Sequence, residues 1–283
     1  MSEPAIADSE GEKRSIFSRV SGAVDSLWGP PIALVEAIGS HLVLLGNVFF
    51  WTFRRPFRVR VYLEAMDFVG VGSVFIVGLV GLFVGMVFSL QSVSAFRQFG
   101  AESFVGSTVA LALTRELAPV FTSIMVAARA GSGMATELGS MRTTEQIDAL
   151  STLAVNPVQY LIAPRVWASV FMAPLLCLLF NAVGMAGAYL VAVILQGVDR
   201  GVFVENTRWF LDSNDILQGV VKATIFGLSL SLVSCYQGYN ASGGAKGVGI
   251  ATTRAVVGSF VTILTLDYFV TDIWLTLFSK GNV

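Results

Sequence analysis

At 283 residues with 54% hydrophobic content, only 13% charged and a mean hydropathy of +0.73, the chain is too apolar for a soluble domain, in which about a quarter of residues are charged. A net charge of −1 excludes the global basic field that nucleic-acid binding needs. Cys177 and Cys235 both lie in apolar runs and read as small core hydrophobes, with no disulfide or metal pair implied and no metal site expected.

In chain order, residues 1–27 form a polar extension without the apolar h-region of a cleavable signal, so insertion is expected to rely on the membrane spans. Residues 28–60 follow, and the run Ala33 to Phe53 is nearly long enough to cross a bilayer yet carries Glu36 and His41. Lys13, Arg14 and Arg19 precede that run while Arg54, Arg55, Arg58 and Arg60 follow it. The positive-inside rule wants both clusters on the cytoplasmic side, which predicts a surface helix lying along the interface rather than a span.

A span needs about 20 mostly apolar residues, and the chain offers five. Residues 68–96 and 166–198 contain no Asp, Glu, Lys or Arg; 103–128 is interrupted by Arg115 and Glu116, 216–236 by Lys222, and 255–278 by Asp267 and Asp272. The predicted class is therefore an all-α integral membrane protein, with a cytoplasmic N-terminus and a C-terminus on the outer side of the membrane. That orientation puts 12 Lys and Arg in the cytoplasm and five on or near the outside, with Arg115 inside the membrane. In the first span Gly78, Gly81 and Gly85 favour close helix approach, either within one subunit or at a dimer seam. The Gly-rich stretch Gly238 to Gly249 reads as a cytoplasmic loop.

The longest segment between spans runs from Arg129 to Arg165. Its centre reads as a short helix opened by a Thr143/Gln146 capping box and stopped at Asn156-Pro157, with Ile147, Leu150 and Ala154 on one face and Met141, Glu145 and Asp148 on another. Such a two-faced helix suits docking into a groove of a soluble partner; the alternative is a helix lying on lipid headgroups, which the two acids disfavour.

The runs Arg115-Glu116-Leu117-Ala118-Pro119-Val120, Ala128-Arg129-Ala130-Gly131-Ser132, Glu137 to Gln146, Asn156-Pro157, Gly238-Tyr239, Ala251-Thr252-Thr253-Arg254 and Leu266-Asp267 resemble those of the MlaE (YrbE) permease family, over roughly Phe49 to the C-terminus. The resemblance implies a homodimeric ABC permease of the bacterial inner membrane that moves phospholipid or a related lipid. It further implies an ABC ATPase partner that binds the ATP, a periplasmic MCE-domain protein, often a STAS-domain protein, and a coupling helix between the second and third spans. Arg142, Glu145, Ile147, Asp148 and Leu150 fall on that coupling helix.

The chain itself carries no G-x-x-x-x-G-K-[ST] loop, and Gly131-Ser132-Gly133 fails the dinucleotide spacing because position 136 is Thr. No catalytic constellation surrounds the single histidine, His41, so no enzyme activity or bound cofactor is expected. An ion-coupled secondary transporter or channel would also account for intramembrane charges, but it would be expected to show inverted repeats, and none is evident. Charges at mid-bilayer cost about 2.5–3.5 kcal/mol each and need partners. Counting residues inward puts Arg115 of the second span and Asp267 of the fifth at matching depth, so an Arg115–Asp267 ion pair is expected, with Glu116, Lys222 and Asp215 lining a lipid-headgroup path.

Overall fold

The computed structural model describes residues 35–36, 38–52, 54 and 58–278; the N-terminal extension and the first part of the expected surface helix lie outside them. The chain divides into two units, Met1–Gly46 and Asn47–Val283. Every regular element among the described residues is helical. Among the described residues, five helices are long and apolar enough to cross a membrane: Val59–Arg97, Glu102–Thr143, Val158–Leu195, Ser213–Tyr239 and Gly244–Leu277. The shorter apolar helix Ile38–Thr52 would reach about 22 Å, less than the ~30 Å hydrocarbon core of a bilayer.

The spans extend well beyond the apolar runs. Helical hydrogen bonding continues through polar turns once the backbone has been nucleated, so the second span runs on past Arg129 to Thr143 and the third begins already at Val158. The expected Arg129-to-Arg165 connection thereby shrinks to residues 144–157, which carry one short helix, and the expected Gly238-to-Gly249 loop shrinks to the turn before Gly244, where Gly243 and Gly244 adopt positive φ. A short helix, Arg200–Phe210, joins the third and fourth spans; Asp199 caps it by accepting from the Val202 N–H at 2.9 Å.

The first span shows how lipid inverts the usual amphipathic pattern. Its buried side is a stripe of mostly small residues at every fourth position, Ser73, Val77, Gly81, Gly85, Ser89 and Val93. Its exposed side carries the large apolar ones, among them Phe75, Leu79, Phe83 and Val87. Large side chains lose nothing by facing acyl chains, whereas small ones let backbones meet. The stripe lies against the third span: a Cβ on Gly85 would sit 2.0 Å from the Gly184 carbonyl oxygen, one on Gly187 2.5 Å from that of Leu82, and Ser89 donates to the Ala188 carbonyl at 3.0 Å. Gly81 and Gly85 therefore serve packing inside the subunit, while Gly78 has open space around it.

Among the described residues, five π-helical turns lie in the spans, at Asp67–Val71, Leu113–Leu117 and Ala127–Gly131 inside them and at the two ends of the third, Val158–Ile162 and Leu190–Leu195. Two of them precede a proline closely, Pro119 and Pro164, whose missing N–H breaks the regular ladder and is absorbed by a wider turn. The first and third of these turns meet, with Arg129 lying over the Phe68 ring at 5.0 Å and donating to the Phe68 carbonyl.

Gly85→Ala is expected to lower thermal stability in detergent by about 1–3 kcal/mol through forced separation of the first and third spans. Gly78→Ala should leave the melting temperature unchanged or raise it, by up to about 1 kcal/mol of helix propensity. Equal melting temperatures for the two variants would show that the contact with Gly184 does not hold the spans together.

Candidate functional site

The second, fourth and fifth spans bring five charged side chains together within the membrane-spanning part of the fold. The fourth span supplies the framework. Asp215, Gly219 and Lys222 recur at helical spacing on its buried side, together with Gln218 and Phe226. Gly219 is required there because a Cβ would lie 2.4 Å from the Thr114 carbonyl oxygen, so the second and fourth spans touch backbone to backbone between the two charges. From the span's end at Ser213, Lys222 lies about 14 Å deep; Glu116 lies about 21 Å from Glu102 and Asp267 about 16 Å from the far end of the fifth span.

Lys222 is completely buried, and its ammonium bridges two carboxylates, Glu116 Oε2 at 2.5 Å and Asp267 Oδ1 at 2.8 Å. Arg115 does not reach Asp267. It grips Asp215 instead, with Nη2 at 2.7 Å and Nε at 2.8 Å from the same oxygen, Oδ1. The expected Arg115–Asp267 pair is thus corrected: depth matched, but the rotation of the helices did not. Arg115 and Glu116 both lie in the π turn Leu113–Leu117, and both project onto the fourth span, one toward its end and the other toward its middle.

Asp215 has two tasks. While Oδ1 holds Arg115, Oδ2 accepts from the Asp212 N–H at 2.9 Å and completes a capping box at the start of the fourth span. Burial is uneven across the cluster. The fourth-span partners are hidden, Asp215 at 6% and Lys222 at 0% side-chain exposure, whereas Arg115 and Glu116 are each 41% exposed and Asp267 is 22% exposed. The surface therefore presents an Arg and a Glu side by side, with their counter-ions fixed behind them.

At the opposite end of the bundle, the expected coupling segment forms the helix Gln146–Thr152. The Thr143/Gln146 capping box is absent: Glu145 occupies the N-cap in the left-handed region at φ 60°, Thr143 Oγ1 turns back to the Ser140 carbonyl at 3.1 Å, and Gln146 Nε2 donates to Thr144 Oγ1 at 3.0 Å. Ile147 is buried and Leu150 half-buried, as the apolar face requires, but Ala154 lies beyond the helix, exposed and at φ 56°. Asp148 pairs with Arg142 at 2.6 Å, and Arg142 also lies 5.9 Å from the Tyr239 ring, which pins the short helix to the fourth span. Glu145 is left exposed at the turn. Met141 lines a separate open groove with Ser132, Thr136, Glu137 and Thr252.

Two contributors escaped sequence reasoning. Gly219 could have been found from its place between Asp215 and Lys222 at i+4 and i+7. Arg165, whose guanidinium holds Glu137 at 2.8 Å and joins the third span to the second, left no pattern to find.

Comparison with known proteins adds a family to this geometry. The family model described as Permease MlaE matches residues 62–273. A protein from Rickettsia bellii, "Probable ABC transporter permease protein", is 39% identical over 250 residues, covering 88% of this chain and 96% of that one. The Haemophilus influenzae protein "Intermembrane phospholipid transport system permease protein MlaE" is 41% identical over 259 residues, covering 86% and 97% respectively. The Arabidopsis thaliana protein "Protein TRIGALACTOSYLDIACYLGLYCEROL 1, chloroplastic" is 37% identical over 243 residues, covering 86% and 69%.

Lys222→Met leaves Glu116 and Asp267 facing each other without their cation and is expected to cost about 3–5 kcal/mol, read as loss of monodisperse folded protein. Adding Asp267→Asn should recover much of the yield by removing one of the uncompensated charges. A Lys222→Met chain that folds like wild type would show that the bridge does not carry the bundle.

Proposed function

The chain belongs to the MlaE permease family, and we propose that it is the membrane half of an ATP-driven transporter in which two copies enclose a phospholipid path bordered by the Arg115, Glu116 and Asp267 surface. The observation that carries this reading is the partial exposure of three charged side chains at mid-depth. Acyl chains are a costly neighbour for such groups, so their exposed side needs water, a second copy or a polar headgroup. Five spans make a thin wall for a lipid path, and a pair of identical halves closes one. Arg115 and Glu116 offer adjacent opposite charges, complementary to the phosphate and amine of a zwitterionic headgroup.

The energy comes from a separate ATPase subunit, which holds the ATP, since this sequence has no phosphate-binding loop. Its docking point is the helix Gln146–Thr152, where Ile147 and Leu150 anchor the helix inward and Glu145 and Asp148 face outward. Arg142 neutralises Asp148 on that face, and Glu145, with no ion pair among the described residues, is open to a basic partner. In this arrangement the Gln146–Thr152 end is cytoplasmic, the N-terminus is on the same side, and the end bearing Arg200–Phe210 faces a periplasmic MCE-domain protein. A STAS-domain protein completes the assembly in many such systems. The name of the Haemophilus influenzae relative, an intermembrane phospholipid transport system permease protein, supports phospholipid as cargo, and the five apolar spans suit the bacterial inner membrane.

Reconstituted with its ATPase in vesicles bearing labelled phospholipid, Glu116→Gln is expected to assemble normally, because Asp267 still pairs with Lys222, and to transport about tenfold more slowly, equivalent to ~1.4 kcal/mol in the barrier. Full transport by that variant would remove Glu116 from the path.

Glu145→Lys with Asp148→Lys should abolish co-purification of the ATPase while leaving the permease folded. The isolated wild-type chain should hydrolyse no ATP. Retention of the ATPase by the double variant would move the docking point elsewhere, and hydrolysis by the chain alone would overturn the division of labour.

A further inference from the structure

A second polar site lies apart from the charged cluster, at the Gln146–Thr152 end of the bundle. It is a cavity of about 130 Å³ between the end of helix Ile38–Thr52, the start of the first span and the turn leading into the third. Its polar lining includes Thr52, Arg54, Arg58, Tyr62, Asn156 and Tyr160. We propose that this cavity binds the phosphate of an anionic phospholipid, held as a resident lipid and not as transported cargo.

The argument begins with charge. Arg54 and Arg58 bring two guanidinium groups to one small cavity, and among the described residues neither has a carboxylate within ion-pairing distance; their neighbour Arg60, outside the cavity, is paired with Glu64 at 2.8 Å. What holds the two arginines is aromatic. Arg58 lies 4.9 Å from the Tyr160 ring centre, and Arg54 lies 4.6 Å from that of Phe50 and 5.1 Å from that of Trp51. Stacking of this kind positions a guanidinium without using up its N–H donors, which remain available for phosphate oxygens.

Asn156 adds further donors to the lining. Asn156 spends its carbonyl oxygen on the backbone N–H groups of Val158 and Gln159, at 2.9 and 3.3 Å. Its amide N–H groups have no protein acceptor among the described residues. Gln159 donates to the Arg54 carbonyl at 2.6 Å and the Trp51 carbonyl at 3.3 Å, which fixes the wall that carries Arg54 against the third span. The cavity is thus rich in unspent donors and has no acid in its lining, the composition that suits a phosphodiester anion.

A phosphodiester could come from a lipid or a phosphate from solution, and the surroundings favour the lipid. Trp51, Tyr62, Tyr160 and Trp167 gather at this level, with Trp167 Nε1 donating to Thr52 Oγ1 at 2.8 Å. Such an aromatic belt marks the headgroup level of a bilayer, and basic pockets between spans on the cytoplasmic side take anionic headgroups. The exposed apolar flank of the first span, including Val71, Val74 and Phe75, continues from there and accepts acyl chains.

The test is native mass spectrometry of the purified full-length chain, titrated with phosphatidylglycerol, phosphatidylcholine or inorganic phosphate. It needs no ATPase and no transport, so its failure leaves the permease reading standing. Wild type is expected to retain phosphatidylglycerol about tenfold more strongly than phosphatidylcholine, and Arg54→Gln with Arg58→Gln to lose that excess, while Arg60→Gln keeps it. Arg58→Gln alone, at an exposed position, should lose a measurable part of the excess without threatening the fold. Equal retention of phosphatidylglycerol by wild type and the arginine variants would overturn the site. Displacement of phosphatidylglycerol by millimolar inorganic phosphate would overturn the lipid assignment in favour of a soluble anion.

Discussion

A completely buried ammonium is the constraint from which the rest of the bundle follows. Burying an ammonium is costly without close anionic partners, and the two partners of Lys222 come from different helices, Glu116 from the second span and Asp267 from the fifth. One atom therefore sets the rotation and the depth of three spans at once. Gly219, three residues away, lets the second span come close enough for Glu116 to reach, and Asp215, seven residues away, takes up the neighbouring Arg115. Replacing Lys222, Arg115 or Asp215 alone leaves an unpaired ion, and a side chain at Gly219 meets the Thr114 carbonyl, so these positions depend on one another.

The first and third spans solve a different problem. They carry no cluster of charges at their contact and cannot rely on hydrophobic attraction, because lipid is as apolar as they are. Their contact is made by backbone proximity through Gly85, Gly184 and Gly187, and the large side chains displaced from it coat the outside. The protein thus has one half held by ions and another held by close packing. Arg165 joins the halves through Glu137, and Arg129 does so at the meeting of two π turns.

Much of this was legible in the amino-acid order. Long apolar runs, two of them free of charge, located the five spans, and the need of charges at that depth for partners marked Arg115, Glu116, Lys222, Asp215 and Asp267 before any geometry was known. Which ions pair was not legible. Counting residues along a helix yields depth at 1.5 Å per residue, but pairing also depends on rotation, and the π turn at Leu113–Leu117 alters the rotation of Arg115 and Glu116 relative to a regular helix. Helix ends were misjudged for a related reason: apolar runs mark hydrocarbon, whereas helical hydrogen bonds carry on into water, as they do from Gly131 to Thr143. The Thr143/Gln146 pattern failed as a capping box because Glu145 turns the chain through a left-handed residue first, and the two side chains then find partners within that turn.

Arg115 and Glu116 are adjacent and opposite in charge, yet they do not neutralise each other, because neighbours on a helix point in different directions. Each recruits its own counter-ion from the fourth span, and those counter-ions are the buried members of the cluster. Had the two residues been spaced by four, they could have paired along the second span and left Lys222 and Asp215 without purpose. The adjacency has a consequence for the exposed surface as well. Two opposite charges stay separate, anchored from behind and open in front, at a depth where a self-satisfied pair would have presented no field to anything passing by.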